Sequence, residues 1–400
     1  MRFLRFAALW VPLLLAGFGM RGLGQAASPP SLPAMQSVAA LGSDLFVQSG
    51  STGMVLVVVR GKEVLFRGYG ETAPDSHQAP TQDSLLRLCS LTKIFTTDVL
   101  AKLVAEKTVR LDDPLQRYAP HGAVVPRRIG PITLVDLATH TSGLPRELGN
   151  PPAHTPHFTF PNYDIRWRWL PNQRLRSAPG TAALYSNIGF DLLSDALQGA
   201  THKQYIALLA QRTLNPLHMQ RTTFFPNAEQ CERLLIGAHD EGPCASTEAT
   251  AGSSGLYSTA TDMTIWLKYL LRTVDPNIPV QDLAAQSLYI PPASLVSEKG
   301  LDHAGKPTGV GLGWIHILPV DSPSHIVEKT GGGAGFSSYI AINHARDTAL
   351  FVAATDGAVD THLNLFNAAN KLLLAAAGLP PLPEPAPKRA SRRRRAPPRR

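Results

Sequence analysis

Apolar, mostly branched residues run unbroken across 53–59, the pattern of a strand buried on both faces. Arg60-Gly61-Lys62 turns the chain, and 63–69 reads as the second strand of a hairpin. Ahead of it, beyond a Pro- and Ser-rich joint at 28–33, residues 35–47 have the spacing of a short amphipathic helix. From Arg110 to about Pro292 strand signals thin out. Helical periodicity broken by Pro/Gly loops takes over, predicting helices at 132–140 (with Thr133 as cap), 189–200, 205–214 and 262–271. Strand signals return at 311–318, 335–343 and 349–355, and a helix at 363–377 closes the body. Both ends supply strands while the middle supplies helices. The economical architecture is an α/β domain built from 28–109 and 305–378, its antiparallel sheet flanked by helices, with an all-helical domain at 110–304 inserted.

The chain ends change the picture drawn by composition. Of 400 residues, 44% are hydrophobic and 17% charged, which fits a globular protein with a large core. Residues 1–27 read as a signal peptide: Arg2 and Arg5 form a basic head, 6–20 an apolar core interrupted by Pro12, and Gly24 and Ala26 suit cleavage. That core is shorter than the ~20 residues of a spanning helix, so the expectation is export to the periplasm as a soluble protein. The net charge of +8 is carried by the ends. Arg2, Arg5 and Arg21, with eight basic residues against Glu384 from Pro380 onward, exceed it, so the body is slightly acidic and no nucleic-acid-binding body is expected. The Arg/Pro-rich tail, 379–400, is too polar to bury a core and should be disordered. It is either a solvated extension or an electrostatic contact for an anionic wall polymer or membrane surface.

Export permits disulfides. Of three cysteines, Cys231 and Cys244 flank the turn-forming Asp240-Glu241-Gly242-Pro243, and a bridge is expected there. Cys89 is left over, as a small buried residue. His154 and His157 lie on a proline-interrupted loop and form no metal motif; no cofactor is implied.

Candidate chemistry begins at Ser90-Leu91-Thr92-Lys93, where Ser90 is expected to open a helix continued by Ile94, Phe95, Leu100, Leu103 and Val104. Residues i and i+3 are neighbours on a helix, so the Lys93 amine lies beside the Ser90 hydroxyl, placed to take its proton. Alone the motif is weak, since a serine cap followed by a solvated lysine reads the same way. Two further motifs follow, each occurring once: Tyr185-Ser186-Asn187 ahead of the 189–200 helix, and Lys329-Thr330-Gly331 followed by Gly332 and Gly333.

Together, in this order, these residues resemble the penicillin-recognising serine hydrolases: class C β-lactamases, D-alanyl-D-alanine peptidases and related esterases. Tyr-x-Asn as the middle motif points to the class C branch, and 140–145 and 255–259 are similar to family stretches as well. The resemblance implies a β-lactamase/transpeptidase-like fold with Ser90 as nucleophile and Lys93 and Tyr185 sharing the base role. It implies an oxyanion hole from the Ser90 and Gly332 backbone N–H groups, and Asn187, Lys329, Thr330 and Gly331 on the substrate. Whether Lys93 or Tyr185 is the base stays open. The implied activity is that of a serine DD-peptidase, a D-alanyl-D-alanine carboxypeptidase/endopeptidase acting on peptidoglycan peptides and acylated by β-lactams. A class C-type β-lactamase or esterase is the alternative, and a non-catalytic wall-binding module a second one.

Overall fold

Eight buried residues in a row make β1 (Gly53–Arg60) the strand on which two layers of helix converge. The structure is a computed structural model, describing residues 32–239, 242–272, 284–287, 289–357 and 364–382. The signal-peptide reading of 1–27 and most of the tail lie outside the described residues. β1 pairs antiparallel with β2 (Glu63–Gly70). Four short strands follow along the chain: β3 (Leu86–Arg87), β4 (Ala183–Leu184), β5 (Tyr257–Ser258) and β6 (Glu298–Lys299). The C-terminal part adds β7 (Pro307–Val310), β8 (Ile315–Ile317), β9 (Ile326–Gly333), β10 (Phe336–Asn343) and β11 (Thr348–Thr355). Among the described residues the larger sheet has seven strands in the order β2-β1-β11-β10-β9-β8-β7, antiparallel throughout. Strands from the two chain ends thus share one sheet.

The helices are α1 (Met35–Ser49), α2 (Thr92–Ala105), α3 (Leu134–Ala138), α4 (Tyr163–Trp169), α5 (Asn187–Thr201), α6 (Tyr205–Leu209), α7 (Ala228–Cys231), α8 (Ala260–Leu270) and α9 (Leu365–Ala376). Side chains alternate along a strand. Met54, Leu56 and Val58 accordingly meet Val38 and Leu45 of α1 and Ala369 and Leu373 of α9. Val55, Val57 and Val59 join the opposite cluster, which runs through Phe95 and Leu100 of α2 and Trp266 of α8 to Phe190 and Leu193 of α5. The helices interpolated between the sheet's halves therefore share a core with the sheet. Each fully buried Val or Leu contributes roughly 2 kcal/mol, so this two-sided packing holds β1 and its neighbours rigid beneath whatever they support. α2 is buried on nearly every side, as a helix lying inside a domain must be.

Several expected elements differ in extent. The 132–140 helix shrinks to α3, whose Thr133 cap and Asp136 form a reciprocal capping box. The 205–214 helix is α6 followed by a wide π turn over Ala210–Leu214. The 311–318 strand is confined to β8, because Gly313 adopts φ +76° to donate its N–H to the Ala138 carbonyl at 2.7 Å. β9 and β7 carried no clear strand signal. Among the described residues no helix is long and apolar enough to cross a membrane.

Cys231 and Cys244 are bridged, with Cα atoms 5.8 Å apart, and Cys89 is a buried thiol outside the bridge. The bridge closes a loop whose Gly242 and Pro243 carbonyls accept 3.2 Å hydrogen bonds from the buried Arg87 guanidinium. Arg87 lies in β3, just before Ser90. Replacing both cysteines with serine is expected to lower stability by about 3 kcal/mol through loop entropy, read as a lower urea midpoint; an unchanged midpoint refutes it.

Candidate active site

Ser90 does not open α2 directly. It sits in a single 3-10 turn, Cys89–Leu91, and the α-helix starts at Thr92. In 3-10 geometry residues i and i+3 eclipse, which keeps Lys93 over Ser90. Cys89 adopts φ +50°, uncommon for a residue with a Cβ, and surrounding bonds hold it there. Thr92 Oγ1 donates to the Cys89 carbonyl at 2.7 Å, the Cys89 thiol donates to the Gly333 carbonyl at 3.3 Å, and Leu88 N–H donates to the Leu256 carbonyl at 2.9 Å.

Lys93 is fully buried. Its Nζ donates to Ser90 Oγ (3.1 Å), Asn187 Oδ1 (2.6 Å) and the Ser253 carbonyl (2.8 Å). An ammonium has three donors and no acceptor, and here each donor has a partner. Burial pushes the Lys93 amine below the usual lysine value, reinforced by Lys329 and opposed by Tyr185.

Tyr185 and Asn187 straddle the start of α5, where Ser186 is the N-cap and its Oγ accepts from Gly189 N–H at 3.0 Å. The 140–146 segment cradles them. Leu184 N–H donates to the His140 carbonyl (2.8 Å), Ser186 N–H to His140 Nδ1 (3.1 Å), Ser186 Oγ–H to the Pro145 carbonyl (2.7 Å) and Asn187 N–H to the Arg146 carbonyl (2.9 Å). The His140 ring stacks on Tyr185 with centroids 4.3 Å apart. Three cations surround the phenol ring: Lys93 Nζ at 5.0 Å, Lys329 Nζ at 4.9 Å and the Arg146 guanidinium at 4.8 Å from its centroid. Burial opposes ionisation of Tyr185, but Lys329, Lys93 and hydrogen bonds to Ser90 and Lys93 outweigh it and bring the phenol down to about 7. His140, buried among the same cations, is held well below the usual histidine value and stays neutral.

Lys329, Thr330, Gly331 and Gly332 occupy β9 and pair with Ile340, Tyr339, Ser338 and Ser337 of β10. β8 pairs with β9 only over Ile326–Glu328, so among the described residues the stretch from Lys329 to Gly333 has a strand neighbour on one side alone. A Cβ on Gly331 would clash with Ser338 Oγ and stand 2.7 Å from the Leu88 carbonyl and 3.2 Å from Ser90 N. Glycine there lets the strand press against the Ser90 turn. Gly332, the next residue, is exposed with open space around it.

The three sequence motifs are thus brought to one place: Ser90, Lys93, Asn187, Tyr185 and Lys329 are joined by the contacts above, with Gly331 against the Ser90 turn. Cys231 and Cys244 belong to the flanking loop. Sequence reasoning did not single out His140, Glu147, Asp191 or Ser253 for a role. Asp191 lies four residues after Asn187, on the same face of α5, and that spacing was the available signal. Asn187 Nδ2 donates to Glu147 Oε1. On β9, Glu328 is buried beside Lys329 with Oε2 unpartnered, and burial raises its carboxyl to about 8.

A serine hydroxyl bonded to a buried lysine, beside a tyrosine made acidic by cations and a strand edge open to an extended chain, is equipped for acyl transfer through serine. Fold and site define the class: a serine hydrolase. Residues 36–372 match the family described as Beta-lactamase. The chain is 42% identical to the D-alanyl-D-alanine-carboxypeptidase/endopeptidase AmpH of Escherichia coli (strain K12) over 343 residues, 86% of this chain and 89% of that one. A crystal structure of a Beta-lactamase/D-alanine Carboxypeptidase from Yersinia pestis complexed with citrate superposes with a TM-score of 0.80 at 39% identity, covering 86% and 99% of the two chains. A class C beta-lactamase shares the fold, with a TM-score of 0.68 at 18% identity over 85% and 94%. The chain belongs to the beta-lactamase family.

Proposed function

We propose that this chain is an exported, periplasmic serine DD-peptidase, a carboxypeptidase and endopeptidase of D-alanyl-D-alanine-type bonds in peptidoglycan stem peptides, acylated by β-lactams. The observation that carries the reading is the 3.1 Å contact of Lys93 Nζ with Ser90 Oγ beneath the Tyr185 ring. The likeness to AmpH supports the substrate, and the basic head and apolar core of 1–27 support export.

Ser90 Oγ attacks the carbonyl carbon of the penultimate D-alanine while its proton passes to the Tyr185 phenolate. Tyr185 suits this role better than Lys93, whose three donors are all engaged and leave no lone pair facing Ser90. The oxyanion accepts from the backbone N–H groups of Ser90 and Gly332, each such donor typically contributing ~3 kcal/mol. Tyr185 then protonates the departing amine as the C–N bond breaks, leaving an acyl ester on Ser90. Water attacks that ester, its proton returns through Tyr185 to Ser90 Oγ, and the shortened peptide leaves. Asn187 orients Lys93 and bonds the substrate amide, while Lys329, Thr330 and the Gly331 backbone hold the terminal carboxylate and the extended chain. A β-lactam presents a carbonyl and carboxylate in the same relation and acylates the same serine.

Incubation with purified peptidoglycan, reading D-alanine and split dimers by mass, with a chromogenic β-lactam alongside, tests the reading. D-alanine release is expected, with a penicilloyl-enzyme that turns over slowly because the opened ring stays in the site. Fast β-lactam hydrolysis without D-alanine release would make the chain a β-lactamase instead. Absence of any acylation would leave the wall-binding alternative.

A further inference from the structure

Two stretches of the chain, 114–135 and 165–190, contain no Asp or Glu, yet together they carry seven arginines. Arg117 and Arg166 are neutralised by Asp113 and Asp195. Arg127, Arg128, Arg174 and Arg176 are exposed, and among the described residues none of them is in an ion pair. The fold joins the two stretches. Arg128 Nη1 donates to the Leu175 carbonyl at 2.8 Å and to the Arg176 carbonyl at 3.1 Å, and Leu175 is buried between its two exposed arginine neighbours.

Beside these cations Ile129 is 100% exposed, and Val124 of the same loop is largely exposed as well. A Cβ on Gly130 would meet nothing within 4 Å, so the loop stands clear of the body there. Single apolar residues at a surface are ordinary, but Ile129 also holds φ +67°, a conformation that a β-branched residue rarely adopts. Neither backbone preference nor packing accounts for isoleucine at this position. An apolar tip among arginines, with no carboxylate in either stretch, has the chemistry of the boundary between anionic headgroups and acyl chains. There an apolar side chain enters the hydrocarbon while guanidinium groups stay with the phosphates.

We propose that the 124–130 loop and the 174–176 segment form a docking surface for an anionic lipid bilayer. Ile129 enters the acyl-chain boundary, and Arg127, Arg128, Arg174 and Arg176 face lipid phosphates. The body is slightly acidic as a whole, so its approach to an anionic surface depends on such a local concentration of positive charge. A hydrated wall polymer of the same charge would engage the arginines alone and leave the strained Ile129 without a role. The surface is also tied to the active site. Arg176 N–H donates to the Gly143 carbonyl at 2.7 Å, within the segment that cradles Tyr185 and Asn187, so docking fixes how the site is presented to the wall.

The test places an environment-sensitive fluorophore on Ile129→Cys in the full chain. Cys89 is buried and Cys231 is bridged to Cys244, so the label attaches at position 129. The probes are vesicles of phosphatidylcholine alone and of phosphatidylcholine mixed with phosphatidylglycerol. A blue shift, with quenching by brominated acyl chains, is expected on the anionic vesicles only and should fade with added salt. Vesicle affinity should fall by about fivefold for each of Arg127→Ser and Arg174→Ser, and by about tenfold for Ile129→Ser. Thermal melts of these surface variants should match wild type. Binding to anionic vesicles with the label still in water would assign the contact to the 379–400 tail or another segment and overturn the proposal. A label response equal on both vesicles would overturn its anionic character, and absence of vesicle binding would overturn it outright.

Discussion

Ser90→Ala is expected to give no covalent adduct with a labelled penicillin and to lower turnover of any acyl substrate by on the order of 10⁶. The size follows from the absence of a second hydroxyl in its place. Lys93 Nζ lies 3.1 Å from Ser90 Oγ, and the Ser253 and Asn187 side chains are not substitutes, since the first bonds Ser254 and the second is an amide. The fold should survive. Lys93 keeps Asn187 Oδ1 and the Ser253 carbonyl as partners, and the turn is held by Thr92, Cys89 and Leu88 through bonds that the Ser90 side chain does not make. Intact-mass measurement after incubation, together with a thermal melt, checks both halves. An adduct on the mutant would locate the nucleophile elsewhere and remove the mechanism.

The parts of the molecule that were legible in sequence are those where local pattern and final environment agree. Residues 53–59 are apolar at every position because helices cover both sheet faces, and α5 announces itself through the helical run read at 189–200. Ser90, Lys93, Tyr185, Asn187 and Lys329 stood out through their resemblance to a family's motifs, and the fold brings their side chains together. β9 was obscured by its own function. Its Glu-Lys-Thr centre and glycine run at 331–333 lower strand propensity, yet the glycines admit close approach to the Ser90 turn, and pairing with β10 supplies the order. Glu147, Asp191 and His140 stayed hidden for a different reason. An acidic or histidine residue reads as solvated surface until long-range packing gives it partners or buries it: the bonds of His140 and Glu147 link the 140–147 segment to the start of α5, on which Asp191 is buried.

Tyr185→Phe is expected to lower kcat/KM for acylation by about 10²–10⁴, the range for removing a general base, and to erase the acid limb of the pH profile. In the wild type, Tyr185 has its phenol lowered to about 7. Below that pH it is protonated and cannot take the Ser90 proton; above it the phenolate is available. Acylation should therefore rise with pH through about 7. It should fall again on the alkaline side, below the usual lysine value, as the depressed Lys93 loses its proton and with it the charge that stabilises the phenolate. Phenylalanine preserves the ring beside Lys93, Lys329 and His140, so a packing role alone predicts little change in rate and none in profile shape. An acid limb that persists near pH 7 in the mutant would transfer the base role to Lys93, which would then have to be neutral while donating to Asn187 and Ser253. That arrangement is chemically sound only if the lone pair faces Ser90, and the pH profile separates the two cases without reference to the absolute rate.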